Sequence, residues 1–273
     1  MTTKTHGARR TIASRLGEAS LTSNEGMGRV AYSPVAMMPD VKVMKVGGQS
    51  VMDRGREALF PILDEIVALK DEQKLLICCG GGTRARHVYA VAADLELPTG
   101  VLAALGGYVP RQNARMLQML LAKHGGLFIM HDDFEKLPLY FRLGCIPIMT
   151  GMPPFGYWEK PSVGGRIPEH RTDAGVFLTA EVLGAKRALF IKDEVGLYDD
   201  DPKKNKSARH IPRISAKELL ARDLPDMILE RVVIEYLTRA RFCTELQIVN
   251  GLERGMVTEA LRGKDVGTII TRD

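Results

Sequence analysis

Three short stretches put residues suited to phosphate oxygens at the ends of apolar runs. In the first, Lys45 precedes Gly47 and Gly48, with Gln49 and Ser50 next. Glycine lacks the Cβ that keeps a backbone from closing around an anion, and the lysine adds a compact positive charge. A plain strand-to-helix turn would use the same residues. The second, Gly80-Gly81-Gly82, leads into Thr83, Arg84 and Arg86, and guanidinium forks match phosphate oxygens. Neither stretch has the Gly-x-x-x-x-Gly-Lys-Ser/Thr or Gly-x-Gly-x-x-Gly spacing of common nucleotide motifs. The third runs from Lys192 through Asp193, Glu194, Val195 and Gly196 to Tyr198, Asp201 and Pro202. Tyr198 offers a flat face to a base, and the acids are of the kind that hold a divalent cation. A basic run, Lys203, Lys204, Lys206, Arg209 and Arg213, follows as on a solvated loop. Finally, Arg171-Thr172-Asp173-Ala174-Gly175 opens a helical pattern in which Thr172 or Asp173 is the expected N-cap. An aspartate there can also orient a catalytic lysine.

Positioning these groups requires strands that end where the glycines begin. Apolar runs at Val41–Val46, Lys74–Cys79, Leu127–Met130, Ile146–Thr150, Ala188–Ile191, Glu245–Val249 and Thr268–Thr271 read as strands. Between the first two, Ala58, Leu59, Ile62, Leu63, Ile66 and Val67 share one helical face, with Pro61 expected to kink the helix or mark its first turn. Further helices are expected over Arg111–His124, Ala174–Leu183 and Ala216–Leu220. Strands alternating with helices predict an α/β fold with a mainly parallel sheet covered on both faces. Ligands then sit outside the carboxyl ends of the strands, where the glycines fall. The Pro- and Gly-rich stretch Gly151–Pro168 is long enough to demand a function or an interface.

Over 273 residues, 45% apolar and 26% charged content is that of an ordinary soluble protein. A net charge of +5 does not imply nucleic acid. No run of 18 apolar residues exists, so no membrane span is expected. Cys78, Cys79, Cys145 and Cys243 form no Cys-x-x-Cys pair and no secretory signal is seen, which predicts reduced thiols in the cytoplasm. Cys78 and Cys79 would point to opposite faces of a strand, so core packing is expected rather than metal chelation. Residues 1–39 are rich in Thr, Ser, Gly and Ala, with Arg9, Arg10, Arg15 and Arg29. Glu18 and Glu25 argue against a transit peptide, so a flexible or subunit-contacting extension is expected before a nucleotide-binding domain at 40–273.

The ordered set Lys-x-Gly-Gly, triple glycine, Thr-Asp-Ala, Gly-x-Tyr-x-x-Asp-Pro and Val249-Asn250-Gly251 resembles the amino acid kinase superfamily over residues 41–271. It is most similar to the uridylate kinase branch and, within that branch, to the beta-type chains of the molybdenum storage proteins. The segments Lys45–Gly55, Thr83–His87, Gly151–Pro154 and Lys192-Asp193-Glu194 carry this closer likeness. The resemblance implies a three-layer sandwich with the amino acid kinase fold. It implies ATP with Mg²⁺, and a hexamer, with or without an alpha-type paralogue, that stores molybdate or tungstate as polyoxometalate clusters. Lys45, Gly47, Gly48, Gln49, Gly82 and Arg86 would hold phosphates, and Lys192, Tyr198 and Asp201 would line the nucleotide. Gly81, Gly151, Thr172 and Asp173 would face the acceptor position of uridylate kinases, with Lys45 and Asp173 as the catalytic pair. His131 is the candidate metal ligand. Val195 stands where relatives commonly carry aspartate, and the long loop with Tyr157 and Trp158 would obstruct an acceptor nucleotide. A nucleoside monophosphate kinase acting on UMP is the alternative, and a non-catalytic nucleotide-responsive protein is a third reading.

Overall fold

The computed structural model describes residues 33–162, 165–224 and 227–273. The chain divides into Met1–Val35 and Ala36–Asp273. Most of the extension expected at 1–39 therefore lies outside the described residues, and every element named below belongs to the larger unit.

The centre of that unit is an eight-stranded sheet ordered β3-β4-β2-β1-β5-β9-β10-β8. The strands are β1 Val41–Val46, β2 Lys74–Cys79, β3 Gly126–Phe128, β4 Ile146–Thr150, β5 Arg187–Lys192, β8 Arg213–Ser215, β9 Glu245–Asn250 and β10 Thr268–Thr271. All neighbours run parallel except β9 and β10. A two-stranded antiparallel sheet, β6 Leu197–Tyr198 with β7 His210–Ile211, stands apart. The strand period of two divides the apolar side chains between two cores. Val41 and Val43 pack with α5 Thr172–Leu183, α6 Ala216–Arg222 and α7 Arg231–Leu237. Met44 and Val46 pack with α1 Arg56–Leu69, α3 Thr99–Leu120 and α8 Met256–Leu261. Helices thus cover both faces, and the result is a three-layer α/β sandwich, as expected from the sequence. Cys78 and Cys79 enter different cores. Burial pushes the Cys78 thiol up to about 12 and raises Cys79 as well, so both stay protonated packing groups.

Several expected boundaries shift. The helix expected over Arg111–His124 begins at Thr99 and runs through Pro110, while His124 closes a separate 3₁₀ turn. A proline marks a probable helix boundary only locally. Here burial of Leu102, Ala103, Val109 and Leu117 on one side of α3 holds the axis across it. Pro61 likewise lies inside α1 rather than in its first turn. The strand expected at Leu127–Met130 is Gly126–Phe128. The triple glycine is not a free turn: α2, Gly82–Asp94, starts on its last member.

Register explains why the glycines gather. Val46 pairs with Cys79 and Ile191, Cys79 with Thr150, and Lys192 with Asn250. The carboxyl ends of β1, β2, β4, β5 and β9 therefore share one edge. Gly47, Gly80, Gly151 and Gly251 follow β1, β2, β4 and β9 directly.

Candidate phosphate-binding cleft

Lys45 has the parity of Val41 and Val43, so its side chain points to the α5 side of the sheet. There the first turn of α5 delivers Asp173, whose Oδ1 accepts a hydrogen bond from Lys45 Nζ. Lys192, at the end of neighbouring β5, places its Nζ 3.5 Å from the same oxygen. The side chains of Lys45, Asp173 and Lys192 are 5%, 7% and 13% exposed. Burial alone would raise the Asp173 carboxyl, but Lys192 and Lys45 outweigh it and hold it at about 2. Burial and the Lys45 charge lower Lys192 despite the Asp173 carboxylate. Two cations sharing one anion leave an excess positive charge at the strand ends, and a polyanion would offset it.

Neither Thr172 nor Asp173 is the N-cap of α5. The first helical residue is Thr172, the cap position is Arg171, and no local side chain caps it. Glu230 does so from 57 positions along the chain. Its Oε1 accepts from the Asp173 N–H and its Oε2 from the Arg171 and Ala174 N–H groups, each at 3.0 Å. The Glu230 N–H in turn donates to Asp173 Oδ2 at 3.3 Å. Burial and the Asp173 charge raise the Glu230 carboxyl. Nothing local in Leu229-Glu230-Arg231 announces this role, because only the tertiary fold brings α5 to it. Glu230→Gln, which retains one acceptor oxygen, is expected to cost about 1–2 kcal/mol, read as a drop of several degrees in thermal unfolding.

The two glycine turns face each other. A Cβ on Gly48 would lie 2.1 Å from the Gly82 nitrogen, so this approach requires glycine. Gly82 itself has φ +70°, and Asp53 Oδ2 accepts from the Thr83 N–H at 2.6 Å beside it. A cleft of about 520 Å³ opens at this edge, and Lys45, Gly47, Gly48, Gln49, Gly81 and Gly82 line it. Arg86, Asp173, Lys192, Tyr198 and Asp201 line it too, so these expected residues converge from four stretches of the chain. Tyr89, Met152, Arg171 and Glu230 were not singled out from sequence as cleft residues, yet they border the same space. The rim acids are engaged by neighbouring cations. Asp193 pairs with Arg54 at 2.6 Å and Lys203 at 3.2 Å, Glu194 with Lys203 at 3.1 Å, and Asp201 with Lys204 at 3.1 Å. The Tyr198 ring centroid is 5.5 Å from that of His210.

His131 and Gly151 are not cleft-lining residues. His131 Nε2 is 3.1 Å from the Met152 carbonyl, and burial lowers its pKa. Gly151 donates its N–H to Cys79 O at 2.9 Å. Among the described residues no cluster of three or more His, Cys, Asp or Glu is arranged for a metal ion, and no helix is long and apolar enough to cross a membrane.

Similarity to known proteins follows the same geometry. The profile of the amino acid kinase family matches residues 40–237. The molybdenum storage protein subunit beta of Azotobacter vinelandii is 51% identical over 241 residues, 88% of this chain and 89% of that one. The uridylate kinase of Thermococcus kodakarensis is 26% identical over 237 residues, 84% of this chain and 98% of the relative. Among solved structures, uridylate kinase from Archaeoglobus fulgidus gives a TM-score of 0.63 at 22% identity, covering 84% of this chain and 100% of that one. UMP kinase from Bacillus anthracis gives 0.66 at 19% identity, covering 86% and 96%. At these identities the structural likeness speaks to the fold.

Proposed function

The chain belongs to the amino acid kinase family, alongside the molybdenum storage protein subunit beta, and from that premise we propose that it is the ATP-binding, beta-type subunit of a molybdenum storage assembly. The observation that carries the nucleotide site is the convergence of buried Lys45 and part-buried Lys192 on Asp173 where the two glycine turns meet. Identity to a storage subunit over most of both chains supports the cargo.

In this reading Lys45, Lys192 and the glycine amides hold the triphosphate, Gln49 and Arg86 close its rim, and Tyr198 and Asp201 flank the nucleoside. Asp173 keeps both lysine heads aimed at the phosphates, and Glu230 fixes Asp173 by holding the first turn of α5. The carboxylates of the cleft are already engaged by cations, an amide or backbone N–H groups. This donor set does not fit a protein-held Mg²⁺ site. Molybdate or tungstate would be cargo, condensed to polyoxometalate clusters within a cytoplasmic hexamer that includes an alpha-type subunit. One feature supports storage over phosphoryl transfer to a nucleotide: Val195 offers no carboxylate to orient a lysine. The Gly151–Pro168 stretch, expected to obstruct an acceptor, does not add to it, because Trp158 is 90% exposed and neither Tyr157 nor Trp158 lines the cleft.

Protein purified after growth with molybdate, and separately with tungstate, is expected to carry many metal atoms per chain by elemental analysis. One atom per chain or fewer would sink the storage reading. UMP kinase activity remains the alternative because the uridylate kinase of Thermococcus kodakarensis matches over 98% of its own length. UDP formation from UMP and ATP in a coupled assay would reverse the ranking.

A further inference from the structure

Behind the second glycine turn, Asn113 is 0% exposed in the middle of α3. Its Nδ2 donates to the Gly80 carbonyl at 2.6 Å and reaches the Gly81 carbonyl at 3.5 Å. Its Oδ1 accepts from Arg84 Nη2. A carboxamide in a helix core is costly unless its polar atoms are engaged. Here its hydrogen bonds all go to the glycine turn and to the first turn of α2. The guanidinium of Arg84 has only donors, so it fixes which way the amide sits: oxygen toward Arg84, NH₂ toward Gly80.

Peptide planarity turns this contact into a consequence for the cleft. In a trans peptide, the carbonyl of one residue and the N–H of the next point in opposite directions. Holding the Gly80 carbonyl toward α3 therefore turns the Gly81 N–H away from α3. The longer contact to the Gly81 carbonyl acts the same way on the Gly82 N–H. The Gly82 nitrogen lies against the Gly47–Gly48 turn, 2.1 Å from where a Gly48 Cβ would stand. Among the described residues the Gly48 and Gly81 N–H groups have no protein acceptor. An amide left without a partner beside two lysines is poised for an anion.

We propose that Asn113 is a positioning residue for phosphate binding: it holds the Gly80 and Gly81 carbonyls so that the following amides face the cleft, and Arg84 sets the orientation of its carboxamide. This rests on the reading of the cleft as an ATP site. The test is calorimetric titration of the full chain with ATP and with adenosine, using wild type, Asn113→Leu and the surface variant Arg84→Met. In Asn113→Leu the Kd for ATP is expected to rise about tenfold, with a smaller rise in Arg84→Met. Adenosine affinity stays unchanged in both. A purely structural role would weaken both ligands together or neither, leaving their ratio at the wild-type value, and that result overturns the proposal. If Asn113→Leu does not fold, the Arg84→Met ratio decides alone. A wild type that binds no ATP sinks the cleft reading, whereas wild-type ATP binding with an unaltered ratio in the variants sinks only the role of Asn113.

Discussion

Asp173→Ala should lower the stability of the protein by about 3–5 kcal/mol, the range expected when a buried ion pair loses one partner. The cost comes from what remains. Lys45 and Lys192 are both largely buried and point at the same vacated position, so two like charges would face each other with only the Glu230 carboxyl left near them. The Glu230 N–H would also lose its acceptor on Asp173. For a domain of this size the loss corresponds to roughly 6–20 °C in melting temperature, measured by scanning calorimetry. Asp173→Asn, which keeps an acceptor but no charge, should fall in between. The pH dependence gives an independent check. Asp173 is held at about 2, below its usual 3.8, so its contribution is present above pH 3.8 and is lost as pH falls toward 2. Glu230 is raised, and its share has the opposite sign: present below its usual range and lost as pH rises through its folded value. The stability gap between wild type and Asp173→Ala should therefore narrow on acidification from pH 4 to pH 2. A gap that stays constant over that interval would show that the Asp173 charge is not what balances the lysines.

The parts of this arrangement legible in the sequence are those that a chain states locally. Val41–Val46 alternates its faces, and Lys45 and the two glycines follow as a strand must end, so their shared position could be reasoned from period and turn chemistry alone. The burial of Cys78 and Cys79 in different cores follows from the same period. Glu230 and Asn113 obey no such local rule. One caps the first turn of a helix by bonding a residue 57 positions earlier, and the other braces a turn 33 residues upstream. Both are polar side chains whose meaning depends on which backbone the fold lays against them. Local signals even point away: Thr172 and Asp173 read as good caps, and the helix expected from Arg111 begins instead at Thr99. Family resemblance supplied the order of the motifs but not these supports, since it compares residue types and not the hydrogen bonds they make.

Lys45→Met is expected to separate binding from folding. Removing Lys45 leaves Asp173 paired with Lys192 at 3.5 Å, so the buried charges of this cluster then balance and the melting temperature should move by only a few degrees. Binding should suffer far more. A charge-assisted hydrogen bond to phosphate is worth about 1.5–3 kcal/mol, which converts to a rise of about 10- to 100-fold in the Kd for ATP. The buried position of Lys45 favours the upper end, because low dielectric strengthens the interaction. Adenosine, which carries no phosphate, should bind Lys45→Met as it binds wild type. Lys45→Arg is not expected to rescue the loss. The Lys45 Cε already lies 3.3 Å from where a Gly80 Cβ would stand, leaving little room beside the turn for a planar guanidinium. Titration calorimetry on the three proteins decides the matter. Wild-type ATP affinity in Lys45→Met would remove this lysine from the phosphate site and leave its burial beside Asp173 as a structural ion pair, whereas equal losses for ATP and adenosine would mean the cleft had collapsed rather than lost a phosphate contact.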